Sequence, residues 1–533
     1  MDTFDDLLPC PPSYSFEITN PHEFNYNGTP LNPDCFFRSS QRRTRANLTN
    51  YELLSKIPTD QFCECWEFAW VLAQPDYENV DITEEDFMYL AANSGAIRFC
   101  FKSKIKYDLD NPSIHYQDPY VKEVLMNYYP SVYKKLKIYS KTPKPTRMYY
   151  ALLKYCMPKV RRNKYDRKFS QCYEETLHEI RSQLNRCEPL SVDEALEYLP
   201  KNTSGGFTAL ALKGKRCKKG EMIPEIMYQY NQNIAGNLPH LYRHNILAMR
   251  GHLSKRSKIK SRYIWVVPPE TILSEIRFAQ PFYRQIRSIP FFSNSILTGK
   301  GTIPKLNQFL KSNQHLRFIN TDISGWDAMG STFVQKDLFN IFKSKLIMTN
   351  EDKKEFEFVV NNNIKTTFLL PSGIVLQKYG GVSTGTYFTL LNNSVLNMIF
   401  CRTILRMMDV INLCADQKWL GDDFAFFCEV VDFDLAFFGH LIFKYFGLQV
   451  KPEKCIDTCV INERKFIGYQ LKDGELWREE EEFFAGALYN EHFFNQKKMG
   501  VEISLGKIFS YLLIGGINNL EFYNFFFLFV GFW

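Results

Sequence analysis

The stretch KWLGDDFAFF, Lys418 to Phe427, sets two adjacent acids, Asp422 and Asp423, among apolar and aromatic residues that belong in a core. Neither carboxylate can enter an apolar interior unpaired, so the chain must deliver both to an edge that cations or hydrogen-bond donors can reach. Gly421 relaxes the sterics of a tight turn, and Trp419-Leu420 and Phe424 to Phe427 read as two short strands around it. The acids are expected at a hairpin tip, where a divalent metal would compensate them. A solvated turn is the plain alternative, since glycine and aspartate are ordinary turn residues.

A second acid stands out upstream. HLRFINTDIS, from His315, reads as a half-buried strand with Asp322 near its end. The pattern then predicts a helix over Gln335 to Leu346, a glycine-rich loop KYGGVSTGT, and a long apolar helix from about Tyr387 to Met408. After the hairpin, an amphipathic helix from about Phe433 to Tyr445 stops at Gly447, a natural left-handed cap, and LQVKPEK returns as a strand or loop. This order is that of a ferredoxin-like antiparallel sheet with helices on one face. In such a sheet Asp322 and the hairpin tip lie on neighbouring central strands, although 100 positions separate Asp322 from Asp422.

A chain of 533 residues, 45% hydrophobic, can bury a large core and divides into several lobes, which excludes a disordered protein. The net charge of +7 is modest, but its distribution is lopsided. Between Lys134 and Lys168 stand thirteen Lys or Arg and one acid, Asp166; KGKRCKK (Lys213 to Lys219) and RGHLSKRSKIKSR (Arg250 to Arg262) follow. Interleaved with tyrosines, these runs suit a polyanion channel as well as they suit solvated faces. The fourteen cysteines lack the spacing of a secreted disulfide scaffold, and the start MDTFDDLLPC lacks a signal peptide's basic and apolar regions, so a reducing, cytosolic setting is expected. Cys63-x-Cys65 and Cys455-x3-Cys459 lack a second ligand pair at zinc spacing and read as buried thiols. The tail FFFLFVGFW is too short to span a membrane and is expected to pack on a core.

Carboxylates from two strands meeting at one edge can hold two Mg²⁺ ions about 3.5 to 4 Å apart, the arrangement for in-line phosphoryl displacement. In this light the sequence resembles the palm of viral RNA-dependent RNA polymerases, in motif order. DISGWD (Asp322, Asp327) matches the first motif; TGTYFTLLNN (Thr384, Gly385, Thr389, Asn393) the second; Gly421-Asp422-Asp423 the third. FGLQVKPEKC resembles the fourth, with Lys454 at the lysine position and Lys451 as its alternative, and KFIGYQL the fifth. KSRYIWV (Lys260 to Val266) resembles the fingers motif that grips the incoming triphosphate. GVSTGTYFT, RYIWVVPPETILSE and EEFFAGALY look most like the polymerases of partitiviruses and allied bisegmented double-stranded RNA viruses.

The resemblance implies an α+β right-hand polymerase with a ferredoxin-like antiparallel palm sheet and helix-rich fingers. It divides the chain into an N-terminal extension (1–115), fingers (116–300, with a template loop at Pro200 to Phe207 and the nucleotide-entry motif at Arg250 to Val266), a palm (301–472, with a fingers insertion near 347–380) and a short thumb (473–533). It implies metal binding by Asp322, Asp422 and Asp423, two Mg²⁺ ions with Mn²⁺ as a substitute, and Lys454 as the acid that protonates the leaving pyrophosphate. The implied substrate contacts come from Arg262, Lys260, Asp327, Thr384, Gly385, Thr389 and Asn393, with Arg262 the choice for the triphosphate. Thr389 and Asn393 are four apart on a predicted helix and share a face, unless the threonine bonds its own backbone instead. Asn392 competes with Asn393, and motif spacing favours the latter. Thr384 stands where many relatives carry serine.

The implied activity is template-directed synthesis that replicates and transcribes a viral RNA genome. RNA template and product, ribonucleoside triphosphates and a capsid protein would be its partners, the viral particle in the host cytoplasm its place, and no membrane is involved. The rival enzyme is a reverse transcriptase, which tends to carry a bulky aromatic gate five residues after the first acid; here that residue is Asp327. A non-catalytic RNA-binding or capsid-associated protein would need the basic runs but not the ordered acids.

Overall fold

A strand that must carry Asp322 to an edge needs apolar neighbours on both faces to hold it, and the sequence supplies them. In the computed structural model the described residues are 83–533, apart from 86, 89–90, 92–96, 109–115, 143–147, 157–159, 236–243, 259–260, 299–300, 330, 431 and 491–499. Lys260, Cys63 and Cys65 lie outside them. In chain order the elements that build the site begin with β1 (Ile97–Lys102), α1 (Arg167–Gln183), β2 (Asn245–Gly251), β3 (Ser261–Val266) and α2 (Pro269–Ser288). Next come β4 (Arg317–Thr321), β5 (Ile323–Ser324), α3 (Thr332–Lys345), α4 (Asn350–Ile364), β6 (Lys365–Leu369), β7 (Ile374–Tyr379) and α5 (Thr389–Met407). The hairpin strands β8 (Cys414–Leu420) and β9 (Asp423–Cys428) are followed by α6 (Leu435–Phe446), β10 (Gln449–Val450) and β11 (Ile456–Thr458).

Four of these strands form an antiparallel sheet in the order β8-β9-β4-β11. The sheet is covered on both faces, not on one as the element order suggested. Phe424 and Phe426 pack into the cluster built on α1, α2, α3 and α5, whereas Ala425 and Phe427 join Phe309, Phe318 and Phe466 on the other side. That double burial is why FAFF is an unbroken apolar run instead of an alternating one. Each such phenylalanine contributes about 1.5–3 kcal/mol by leaving water, which anchors the strand whose tip carries the acids.

Helix α5 is apolar nearly all round because it runs through the core, with Leu391 to Leu405 almost wholly buried. Helix α6 starts where the Asp434 carboxylate accepts the Phe437 amide and stops at Gly447, at φ 70°, as its sequence predicts. LQVKPEK gives only the two-residue β10, which pairs with β5; the fourth strand of the sheet is β11, which the sequence did not signal. Strands β6 and β7, from the region expected as an insertion, join a second sheet in the order β1-β7-β6-β2-β3. The Arg464 guanidinium, wholly buried, donates to the carbonyls of Leu310, Ser312, Asn313, Gln314 and Leu316 and pins the turn leading into β4.

At the C-terminal end α7 (Glu480–Leu488), α8 (Val501–Leu513) and α9 (Leu520–Phe532) pack together. The tail lies in α9, with Phe525 and Phe529 buried. The segment 119–136, grouped with the fingers on sequence, shares this cluster: Asp118 accepts from Ser504 and Lys507, and the Tyr489 hydroxyl donates to the Leu136 carbonyl. No described helix is long and apolar enough to cross a membrane.

Candidate active site

Register brings the separated acids together. Phe424 pairs with Thr321, so one further step along each strand sets Asp423 opposite Asp322. Gly421 turns the hairpin at φ 64°, and Trp419, Phe424 and Phe426 stack behind it. Asp422 is exposed at the tip and Asp423 half-buried beside it.

The electrostatics are those of carboxylates crowded together. Burial, then repulsion from Asp422 and Asp322, pushes Asp423 up to about 7. Burial, then repulsion from Asp422, does the same to Asp327, also about 7. Asp422 is raised by burial and by Asp322. Arg262 opposes the shift at all three, so its guanidinium faces the acids from β3. Among the described residues no group of three His, Cys, Asp or Glu is placed to hold a metal ion by itself. The donor set fits Mg²⁺ nonetheless, because that ion takes one or two carboxylates, keeps its waters and draws its remaining ligands from substrate phosphates.

Beside the acids, the Asn393 amide donates to Asp327 at 3.3 Å, and its buried Oδ1 has no hydrogen-bond partner among the described residues. This leaves an acceptor for an incoming hydroxyl. Asn392 is buried too, and its Oδ1 also has no hydrogen-bond partner among the described residues; the bond to Asp327 separates the pair in favour of Asn393. The Thr389 hydroxyl accepts the Gly385 amide and meets the Ser383 and Thr386 carbonyls, because as the first residue of α5 it closes the preceding loop. Gly385, at φ 113°, crosses so close to β3 that a Cβ would collide with the Trp265 carbonyl; Thr384 accepts the Trp265 amide at 2.8 Å.

Lys454 is exposed at the end of a 3-10 turn, whereas Lys451 is buried and its amide donates to the Asp322 carbonyl. The Cys455 thiol accepts the Asp322 amide and donates to the Lys451 carbonyl, while Cys459 is exposed. Of the basic runs, Lys219 faces inward: it donates to Thr203, lies near Glu275 and Glu270, and is lowered to about 8 by burial. Arg162 pairs with Glu174 and Lys168 with Asp409, so part of the positive charge is already spoken for.

Three sets of residues escaped the sequence reading. The Asn397 amide donates to the carbonyls of Gly421 (3.1 Å) and Asp422 (2.8 Å), and Ser394 Oγ accepts the Gly421 amide at 3.0 Å, so α5 clamps the hairpin tip. Their signal was a polar stripe, Asn393, Ser394 and Asn397, on an otherwise apolar helix. Glu275, wholly buried and raised to about 7 by burial, accepts the Tyr387 amide and the Asn363 side chain. Buried Lys378 donates to the Gly380 and Gly381 carbonyls below the Tyr155 and Trp265 rings. On the expected nucleotide-transfer chemistry, Asn397→Ala loses both hydrogen bonds to the tip, worth about 1–3 kcal/mol together, so nucleotide incorporation should fall about tenfold to a hundredfold with RNA affinity unchanged. Primer-extension rates beside filter binding measure this, and an unaltered rate would remove Asn397 from the positioning of the tip.

The chain's similarities agree with this geometry. The family model described as viral RNA-dependent RNA polymerase matches residues 115–491. The RNA-directed RNA polymerase of Cryptosporidium parvum virus 1 (strain KSU-1) is 25% identical over 277 residues, an alignment covering 50% of this chain and 51% of that protein. The chain thus aligns with about half the length of that relative. The crystal structure of a human picobirnavirus RNA-dependent RNA polymerase superposes with a TM-score of 0.59 at 12% identity, over 78% of this chain and 84% of that one. Its insertion-loop deletion mutant gives 0.58 over 78% and 87%. At such identity these two structures speak for the fold, a right-hand polymerase.

Proposed function

The chain belongs to the viral RNA-dependent RNA polymerase family, and on that premise we propose that it copies an RNA template from ribonucleoside triphosphates. The work would be replication and transcription of a viral RNA genome inside a particle in the host cytoplasm, with a capsid protein as partner. The observation that carries the reading is the meeting of Asp322, Asp422 and Asp423 at the end of two paired strands, under one arginine and beside the Asn393–Asp327 pair.

Each residue then has a task. Asp322 and Asp422 would hold two Mg²⁺ ions, or Mn²⁺ in their place, with Asp423 adding charge close by. When bound, the ions supply Lewis acidity to the attacking 3′-hydroxyl and charge neutralisation to the departing pyrophosphate. Arg262 grips the triphosphate, and Lys454, exposed at its turn, gives a proton to the leaving pyrophosphate. Asp327, Asn393 and the Thr384 hydroxyl read the ribose, while Thr389 and Gly385 fix the loop that carries Thr384. The polar residue at 327 favours ribonucleotides over the aromatic gate of a reverse transcriptase.

The test is incubation of the purified protein with single-stranded RNA, four ribonucleotides and Mg²⁺, with and without a primer. Template-length labelled product is expected, and its absence under both conditions with either metal would overturn the reading. RNA affinity should also fall steeply with salt, with a log-log slope of about 0.7 per phosphate neutralised on single strands, or about 4 for six contacts. Because Lys219, Arg162 and Lys168 are engaged within the protein, the slope should stay well below what a count of every basic residue implies. A flat plot would exclude the channel.

A further inference from the structure

Two cysteines that this chemistry leaves unused face each other across the hairpin. Cys414 opens β8, Cys428 closes β9, and the ladder pairs them directly. The Glu429 amide donates to the Leu413 carbonyl at 3.0 Å, so the 413–429 pair is hydrogen-bonded and the 414–428 pair beside it is of the non-bonded kind. In that kind opposing Cα atoms lie about 4.5 Å apart and side chains come closest. A disulfide spans Cα separations of about 4.4–6.8 Å, a range that includes the spacing of such a pair. The sulfurs are 3.9 Å apart, with the Cys414 thiol donating to Cys428. That hydrogen bond holds the Cys428 thiol below its ordinary value against the effect of burial, helped by the Val430 amide and by Arg317, whose residue is paired with Cys428 from β4. Cys414 is only partly buried, which gives a small oxidant a way to the pair.

We propose that Cys414 and Cys428 are a redox modification site: a hydroperoxide joins them in a disulfide that fastens the open end of the hairpin carrying Asp422 and Asp423. The Cys428 thiolate attacks the O–O bond and becomes a sulfenic acid as hydroxide leaves. The Cys414 sulfur then displaces the sulfenic oxygen, which departs as water once protonated, and the S–S bond forms. Two thiols lose two electrons and two protons, and one hydrogen peroxide becomes two waters. The register selects the pairing, since every other described cysteine lacks a cysteine directly across a ladder.

The experiment treats the full-length protein with stoichiometric hydrogen peroxide and counts thiols and peptides. The wild type should lose two thiols, yield a 414–428 cross-linked peptide about 2 Da lighter than the sum of its parts, and recover both thiols in dithiothreitol. Its Tm should rise by a few degrees on oxidation, because the link restrains the unfolded chain. Cys414→Ser and Cys428→Ser, each a small change of one atom, should abolish the cross-link and the Tm shift. Conversion of Cys428 to sulfinic acid without a cross-link, or pairing of either residue with another cysteine, would overturn the proposal; the wild-type peptide map decides this even where a variant folds poorly.

Discussion

Asp422→Asn is expected to lower ribonucleotide incorporation by about 10³-fold or more while the fold and RNA affinity survive, since a neutral amide cannot offset charge at a metal-assisted phosphoryl transfer. Asp322→Asn should match it, because the two side chains serve the same ions. The loss has a counterpart in stability that a purely structural role would not give. Asp422 is raised by burial and by Asp322, and Asp423 by burial and by both Asp422 and Asp322, so without metal the folded state binds more protons than the unfolded state between roughly pH 4 and 7. The stability present below the ordinary carboxyl range is therefore lost as the pH rises through about 7. Removing one charge relieves Asp423 and Asp327, which both feel Asp422. Metal-free Asp422→Asn should accordingly melt higher than wild type at pH 8, and added Mg²⁺ should raise the wild-type Tm more than the variant's. Calorimetry with and without EDTA checks the sign, and near-normal synthesis by the variant would sink the mechanism.

The second large effect concerns the sugar. A site built to hydrogen-bond a substrate hydroxyl can reject analogues lacking it by about 10⁴ to 10⁵, because buried polar groups are then left unpaired. The unpartnered, buried Asn393 Oδ1 is such a group, and the bond to Asp327 fixes its direction. Deoxynucleotides should be poor substrates. Asn393→Ala should forfeit about 1 to 3 kcal/mol, or roughly tenfold to a hundredfold in discrimination, mostly by slowing ribonucleotide use. Asp327→Tyr, which fills the space beside the 2′-hydroxyl, should go further. Single-turnover incorporation of matched ribo- and deoxynucleotides measures both ratios, and full preference for ribonucleotides in Asp327→Tyr would remove that residue from the ribose site.

What the sequence determined by itself was local chemistry in order. Two carboxylates cannot be carried into FAFF-like surroundings, so the hairpin tip at Gly421 was legible. So were the cap at Gly447 and the polar Asp327 and Asn393, because turn sterics, helix capping and the spacing of motif residues act over a few positions. Contacts that depend on which distant strands pair were decided only by the tertiary structure. The register of β9 against β4 sets Asp423 opposite Asp322. The covering of the sheet on both faces, the late strand β11 and the clamp from Asn397 to the Gly421 and Asp422 carbonyls arise the same way. Thr389 makes the distinction plain: its place on a helix face was readable, but its hydroxyl is consumed by the loop before α5, whose path is set by the close crossing of Gly385 over Trp265. Lys219 does so as well, since a charge run looks the same in sequence whether its last lysine meets solvent or is drawn inward toward Glu275. Side-chain type is written residue by residue, whereas partners are chosen by long-range packing, whose energy belongs to the assembled core and to no single stretch of chain.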